Sequence, residues 1–203
     1  MAIALLKPAT LKGETTRRRL LTAAEHQFGE KGFHGTSITS ITLRAGAAQG
    51  TFYLYFRSKE EIFLTLVQDI GHQLRVQSTA AIGKAGNRLE AERLGLEAFL
   101  QFANKHRGLY RIVQESQFVD AAVYREYYEK LAEGYAEALA QAARNGELAP
   151  GDATVRAWAM MGIAHFLGMR WCAWQKKLPP PEALDGIMDF VSHGMAPRPR
   201  KIL

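Results

Sequence analysis

The chain has 203 residues, 47% of them hydrophobic and 23% charged, and a net charge of +6. Disorder is not expected at that composition, and because Cys172 is the only cysteine, an internal disulfide and any CxxC metal or redox pair are excluded. The apolar run Ala2–Leu6 is too short for a signal-peptide core, and the most apolar later stretch, Val155–Trp174, contains Arg156, His165 and Arg170, so a soluble cytoplasmic protein with no membrane partner is expected.

Strand signals are scarce and apolar residues recur at helical spacing, so the chain reads as all-α, with about nine helices. The first helix is expected to start at a Thr15 or Thr16 cap, to carry Leu20, Ala24 and Phe28 on one face, and to end at Gly32. Thr36 or Ser37 caps a short second helix with Ile38, Ile41 and Ala45 inward, and Gly46 suits its left-handed C-terminus. A third helix is expected over 49–55. Two short helices around a glycine turn, behind a longer first helix, have the layout of a helix-turn-helix.

Charge supports that reading. Residues 1–59 hold nine Lys and Arg against three acids, whereas the remainder balances 17 against 17. The first third alone is therefore suited to a polyanion. Within it, Gly50 near the start of the third helix would let a phosphate or base edge approach the backbone. Tyr53 and Tyr55 can pack their rings while their hydroxyls donate to phosphate oxygens, and Phe52 and Phe56 face inward. Arg17, Arg18 and Arg19 either grip phosphates or are simply solvated.

Ser58–Glu61 is a capping-box pattern opening a long fourth helix whose apolar face runs from Ile62 to Leu74 and fades near Ile82–Gly86. Further helices are expected over 88–105, 109–115, 120–145, 152–174 and 181–194, punctuated by Asn145-Gly146, Pro150-Gly151 and Pro179–Pro181. The expected division is a flexible arm over 1–13, a helix-turn-helix domain over 14–60, a helical domain over 61–196 and a disordered tail over 197–203.

The run Gly35–Ile38 through Ile41, then Ala45-Gly46, Gly50–Tyr53, Tyr55-Phe56 and Ser58–Glu61, resembles the DNA-binding domain of the TetR family of transcriptional repressors. Thr42 departs from the usual small alanine, and Ala48 and Gln49 stand where Ser and Lys are frequent, which bears on the third helix's cap and on one phosphate contact. The resemblance implies that Thr36, Ser37, Tyr53, Tyr55 and Lys59 bind backbone phosphates, that Gln49, Gly50, Thr51 and Leu54 face bases, and that Arg44 does either. It also implies a homodimer built on the last two helices. Trp158, Gly162, Met169, Trp171, Ile187 and Phe190 are the expected interface residues, and the surplus of Trp and Met agrees independently.

The aromatic-rich region 99–135 is the expected effector site, through Phe99, Phe102, Tyr110, Val113, Phe118, Tyr127 and Tyr128, with Met161, His165 and Phe166 from further along the chain. Arg107 and Arg111, with Arg170, Lys176 and Lys177, could form a basic mouth suited to an amphipathic anion such as an acyl-CoA or a fatty acid. His165, Met169 and Cys172 share a helical face, but packing explains them better than a metal, and no metal or cofactor is expected. No GxSxG, P-loop, HExxH or dinucleotide fingerprint proposes a reaction, so an enzyme is not expected. The expectation is a ligand-responsive repressor on a pseudo-palindromic operator. The alternative is a constitutive DNA-binding protein without an effector.

Overall fold

The computed structural model describes residues 11–195. Most of the expected arm and the whole expected tail lie outside the described residues. Within them the chain forms nine α-helices and no strand: α1 Leu11–Gly35, α2 Ile38–Ala45, α3 Gln49–Tyr53, α4 Lys59–Ile82, α5 Arg88–Lys105, α6 Leu109–Val119, α7 Ala121–Arg144, α8 Ala153–Gly168 and α9 Pro181–Met195. None of them is long and apolar enough to cross a membrane. The all-helical architecture is thus the one the periodicity implied.

Several local details differ from expectation: α1 does not end at Gly32 but continues through a kink there to Gly35, and α3 ends at Tyr53 rather than at residue 55. Thr15 and Thr16 do not cap α1; each hydroxyl donates to the carbonyl four residues back, Leu11 and Lys12, at 3.0 Å, so both lie inside the helix. At Ser58 only half of the capping box forms: its oxygen accepts from the Glu61 amide at 3.2 Å, while the Glu61 carboxylate reaches past it to the Arg57 amide at 2.6 Å. Finally, α8 stops at Gly168 and the chain continues to Trp174 as a π-helical segment. Its wider turn takes Cys172 out of register with His165 and Met169, and the buried thiol donates to the Leu100 carbonyl at 3.4 Å.

Two compact units emerge. The first comprises the chain as far as Ile70 together with Gly108–Arg125, so α6 belongs with α1 to α3. Leu20, Ala24, Phe28, Ile41, Phe52 and Phe63 are fully buried in it. The Phe28 and Phe33 rings meet the Phe63 ring at 4.8 and 5.0 Å, a compact aromatic cluster near the end of α1.

The second unit comprises Gly71–Arg107 and the chain from Glu126. One cluster in it joins Leu139, Leu148, Ala157, Met160, Val191 and Met195, with Tyr135 and Ile187 packed against it. Beside this cluster the Glu92 carboxylate is buried and accepts from Arg88, 2.5 Å away, and from the Tyr135 hydroxyl. Burial and the neighbouring Glu92 hold the Tyr135 phenol well above its usual range.

Candidate nucleic-acid interface

The interface begins with caps. The Ser37 side chain accepts from the Ser40 amide and the Ser40 side chain accepts from the Ser37 amide, a reciprocal pair that starts α2. Gly46 ends it at φ 59°, a left-handed conformation that glycine adopts without strain, and its amide bonds back to Leu43. The turn then enters α3 through Ala48, which supplies no side-chain cap.

Opposite sides of α3 have opposite fates. Phe52 and Phe56 are buried, whereas Tyr53 and Leu54 are 53% and 71% exposed, beside exposed Gln49 and Gly50 and half-buried Thr51 and Tyr55. A Cβ added at Gly50 would meet nothing within 4 Å. No packing within the protein requires glycine there, although glycine costs about 1 kcal/mol in a helix. Because α3 has only five residues, its dipole adds little to any anion contact.

The other expected phosphate ligands separate. Thr36 is 2% exposed and its hydroxyl donates to the Gly32 carbonyl at 2.8 Å. Its single O–H is spent on the chain, which corrects its assignment as a phosphate donor. Lys59 is also largely committed: its ammonium donates to the Phe33 and Thr36 carbonyls at 2.9 and 3.0 Å and lies 4.4 Å from the Phe33 ring centre. Those carbonyls, at and just beyond the end of α1, need donors, and Lys59 keeps one N–H for any other partner. Ser37 is exposed and, while its oxygen serves as cap, its O–H remains free to donate.

The three consecutive arginines have three different settings. Arg17 lies over the Phe56 ring at 5.6 Å, Arg18 pairs loosely with Glu14 at 3.8 Å, and Arg19 donates to the Ala45 and Gly46 carbonyls, tying α1 to the end of α2. Arg44 is exposed with no acceptor among the described residues. It lines an open groove of about 470 Å³ together with Arg18, Thr22 and His26.

Behind this surface, α6 grips the end of α1. Gly32 interrupts α1 at φ 76°, and the freed Phe33 amide donates to the Glu115 carboxylate at 2.5 Å. Arg111 donates to the Glu30 carbonyl at 2.6 Å. The backbones touch at Gly29 and Gly108, where a Cβ on Gly29 would stand 2.8 Å from the Gly108 Cα. The sequence reading missed Glu115. The Arg111–Glu115 spacing was visible, but its partner lies 82 residues away.

The expected effector residues do not gather in one unit. Tyr110, Val113 and Arg111 lie on α6 in the first unit, the first two buried and Arg111 committed to α1. Phe118 stands 84% exposed, so it lines no enclosed space. Arg107 is exposed in the turn before α6. In the second unit Phe102 is buried and stacks on His106 at 4.3 Å, and Phe99 is half-buried. Tyr127 is buried, and the Tyr128 ring lies 5.0 Å from it and 6.4 Å from both Trp158 and His165. Burial lowers the pKa of His165 and favours its neutral form. Met161 is half-buried, whereas Phe166 is exposed and meets His165 edge-on.

Of the expected interface residues, Trp158 and Phe190 are exposed and Gly162, Met169 and Trp171 are half-buried. Ile187 instead packs toward the Leu139–Met160–Val191 cluster, because it lies on the inward side of α9.

The family model for bacterial regulatory proteins of the tetR family matches residues 20–66, which run from α1 through α3 into α4. The HTH-type transcriptional regulator YdgC of Bacillus subtilis, itself uncharacterised, is 36% identical over 105 residues; the match covers 50% of this chain and 54% of YdgC. The chain thus spans about half the length of that relative. The fatty acid degradation regulator FadR from Bacillus halodurans has a similar fold, with a TM-score of 0.78 at 18% identity, covering 91% of this chain and 96% of FadR. AibR, solved with isovaleryl coenzyme A and operator DNA, gives 0.69 at 19% identity, covering 86% of this chain and 97% of AibR. With the caps, the glycine turn and the half-buried third helix falling inside the matched segment, residues 20–66 form a helix-turn-helix domain of the kind found in bacterial regulatory proteins of the tetR family.

Proposed function

We propose that this protein is a cytoplasmic transcriptional repressor that binds a pseudo-palindromic operator as a homodimer and is released by an amphipathic anionic effector of the acyl-CoA or fatty-acid class. Residues 14–60 would read DNA, and residues 61–196 would hold the effector and the second subunit. The observation that carries the reading is the two-sided α3: Phe52 and Phe56 anchor it, while Gln49, Gly50, Tyr53 and Leu54 face solvent at the end of a basic segment. Gln49, Thr51 and Leu54 would meet base edges, and Ser37, Tyr53 and Tyr55 would donate to phosphates. Lys59 would add its remaining N–H, and Arg44 its whole fork.

The dimer reading is supported by Val155, Trp158, Gly162 and Phe166, which follow one stripe of α8, and by Phe190 between Gly186 and Gly194 on α9. A Cβ at any of these three glycines would meet nothing, so each leaves open space beside an exposed large apolar side chain. The effector class is supported by the aromatic content of the second unit and by the names of two neighbours, a fatty acid degradation regulator and a regulator solved with isovaleryl coenzyme A.

The test is selection of bound duplexes from a random pool, followed by challenge of the complex with acyl-CoAs and free fatty acids. An inverted repeat released by one of these classes is the expected result. A repeat indifferent to all of them would support the constitutive reading, and no enrichment would refute DNA reading altogether.

A further inference from the structure

Arg75, on α4, is a half-buried arginine. Its guanidinium has five N–H donors, yet among the described residues it makes no hydrogen bond or ion pair. A partly desolvated cation without an acceptor is unfavourable, and burying one normally requires a counter-charge. Arg75 shares a small gap with a buried aromatic. Gly71, one turn earlier on α4, leaves room for both: a Cβ there would stand 3.4 Å from the Arg75 Nη1 and 3.1 Å from the Tyr127 ring. Beyond Tyr127 the aromatic row continues through Tyr128 to Trp158, with ring centres 5.0 and 6.4 Å apart. Of the cations that the sequence suggested for an anion, Arg107 stands in an exposed turn and Arg111 donates to α1 carbonyls.

We propose that Arg75, seated over Gly71 against Tyr127, is the anchor for the anionic group of the effector, a carboxylate or a phosphate, with the Tyr127–Tyr128 row receiving its apolar part. The inference rests on the effector reading above and names the residue that reads its charge. A planar fork of donors beside an aromatic surface is the chemistry that holds an oxyanion bidentately while an acyl chain packs.

The test is direct binding to the full-length protein, followed by tryptophan fluorescence, with dodecanoyl-CoA, dodecanoate and uncharged dodecanol as probes. Among the described residues Arg75→Gln removes no hydrogen bond or ion pair and keeps a stem to lie against Tyr127, so the variant is expected to fold like the wild type. It should bind whichever anion the wild type prefers roughly ten- to a hundredfold more weakly and bind dodecanol unchanged. Arg75→Lys should recover part of the loss. Preference of the wild type for dodecanoate identifies a carboxylate, and preference for dodecanoyl-CoA alone identifies a phosphate. Equal anion binding by wild type and Arg75→Gln would overturn the anchor while leaving the effector reading intact. A wild type that binds none of the three probes would overturn both.

Discussion

Two surfaces of this chain leave large apolar side chains in solvent, and they do so in different company. On α3, Tyr53 and Leu54 stand among Gln49, Gly50 and Thr51, in a segment that carries all the net positive charge. On α8 and α9, Trp158, Phe166 and Phe190 stand beside glycines and further apolar residues, in a remainder of zero net charge. The first surface is suited to a polar, anionic partner that needs donors and close backbone approach. The second is suited to an apolar partner that fills space, and a second copy of the same surface meets that requirement. Exposed apolar area alone does not identify a partner; the residues around it do.

The largest effect is expected at α9. Phe190→Asp should leave the monomer fold intact, since the side chain is 72% exposed, yet yield monomers in analytical ultracentrifugation. With two linked contacts reduced to one, operator affinity should fall roughly a hundredfold or more. A dimer that persists would place the interface elsewhere.

At the join between α6 and α1, Glu115→Ala strands the Phe33 amide, and denaturant unfolding should report a loss of about 2 kcal/mol, whereas Glu115→Gln, which keeps an acceptor, should lose less. Equal stability of the two variants would remove the hydrogen bond from the account. Within the DNA-facing surface, Tyr53→Phe should weaken every duplex by about tenfold without changing the order of preference, as measured by fluorescence anisotropy. The smallest effect sharpens the contrast. Gly50→Ala should stabilise the fold by up to about 1 kcal/mol in thermal melting while weakening operator binding. Tighter binding by that variant would mean that nothing approaches Gly50.

What could be read from the sequence was governed by distance along the chain. Ser37, Ile38, Ile41, Ala45 and Gly46 define α2 because cap and face chemistry is complete within ten residues. The inward Phe52 and Phe56 followed from helical spacing alone. Thr36 and Lys59 were assigned to phosphates by the family resemblance, which carries no information on what else each side chain touches in this chain. Their actual acceptors are backbone carbonyls, and the Lys59–Phe33 contact spans 26 residues. Nor could the commitment of Arg111 to the Glu30 carbonyl be read locally, since that partner lies 81 residues back. The π-helical segment Met169–Trp174 has no local sequence mark, so the register of Cys172 could not be anticipated.

On this reading one side of α3 reads bases, while Tyr53 at its end and Tyr55 just beyond it only hold phosphates. It is tested most directly by selecting bound DNA in parallel with wild type, Gln49→Ala and Tyr53→Phe. The account predicts an inverted repeat with half-sites about 34 Å apart, an altered base preference in each half-site for Gln49→Ala, and an unchanged preference at weaker affinity for Tyr53→Phe. Preferences altered by Tyr53→Phe but not by Gln49→Ala, or no enriched repeat at all, would contradict it.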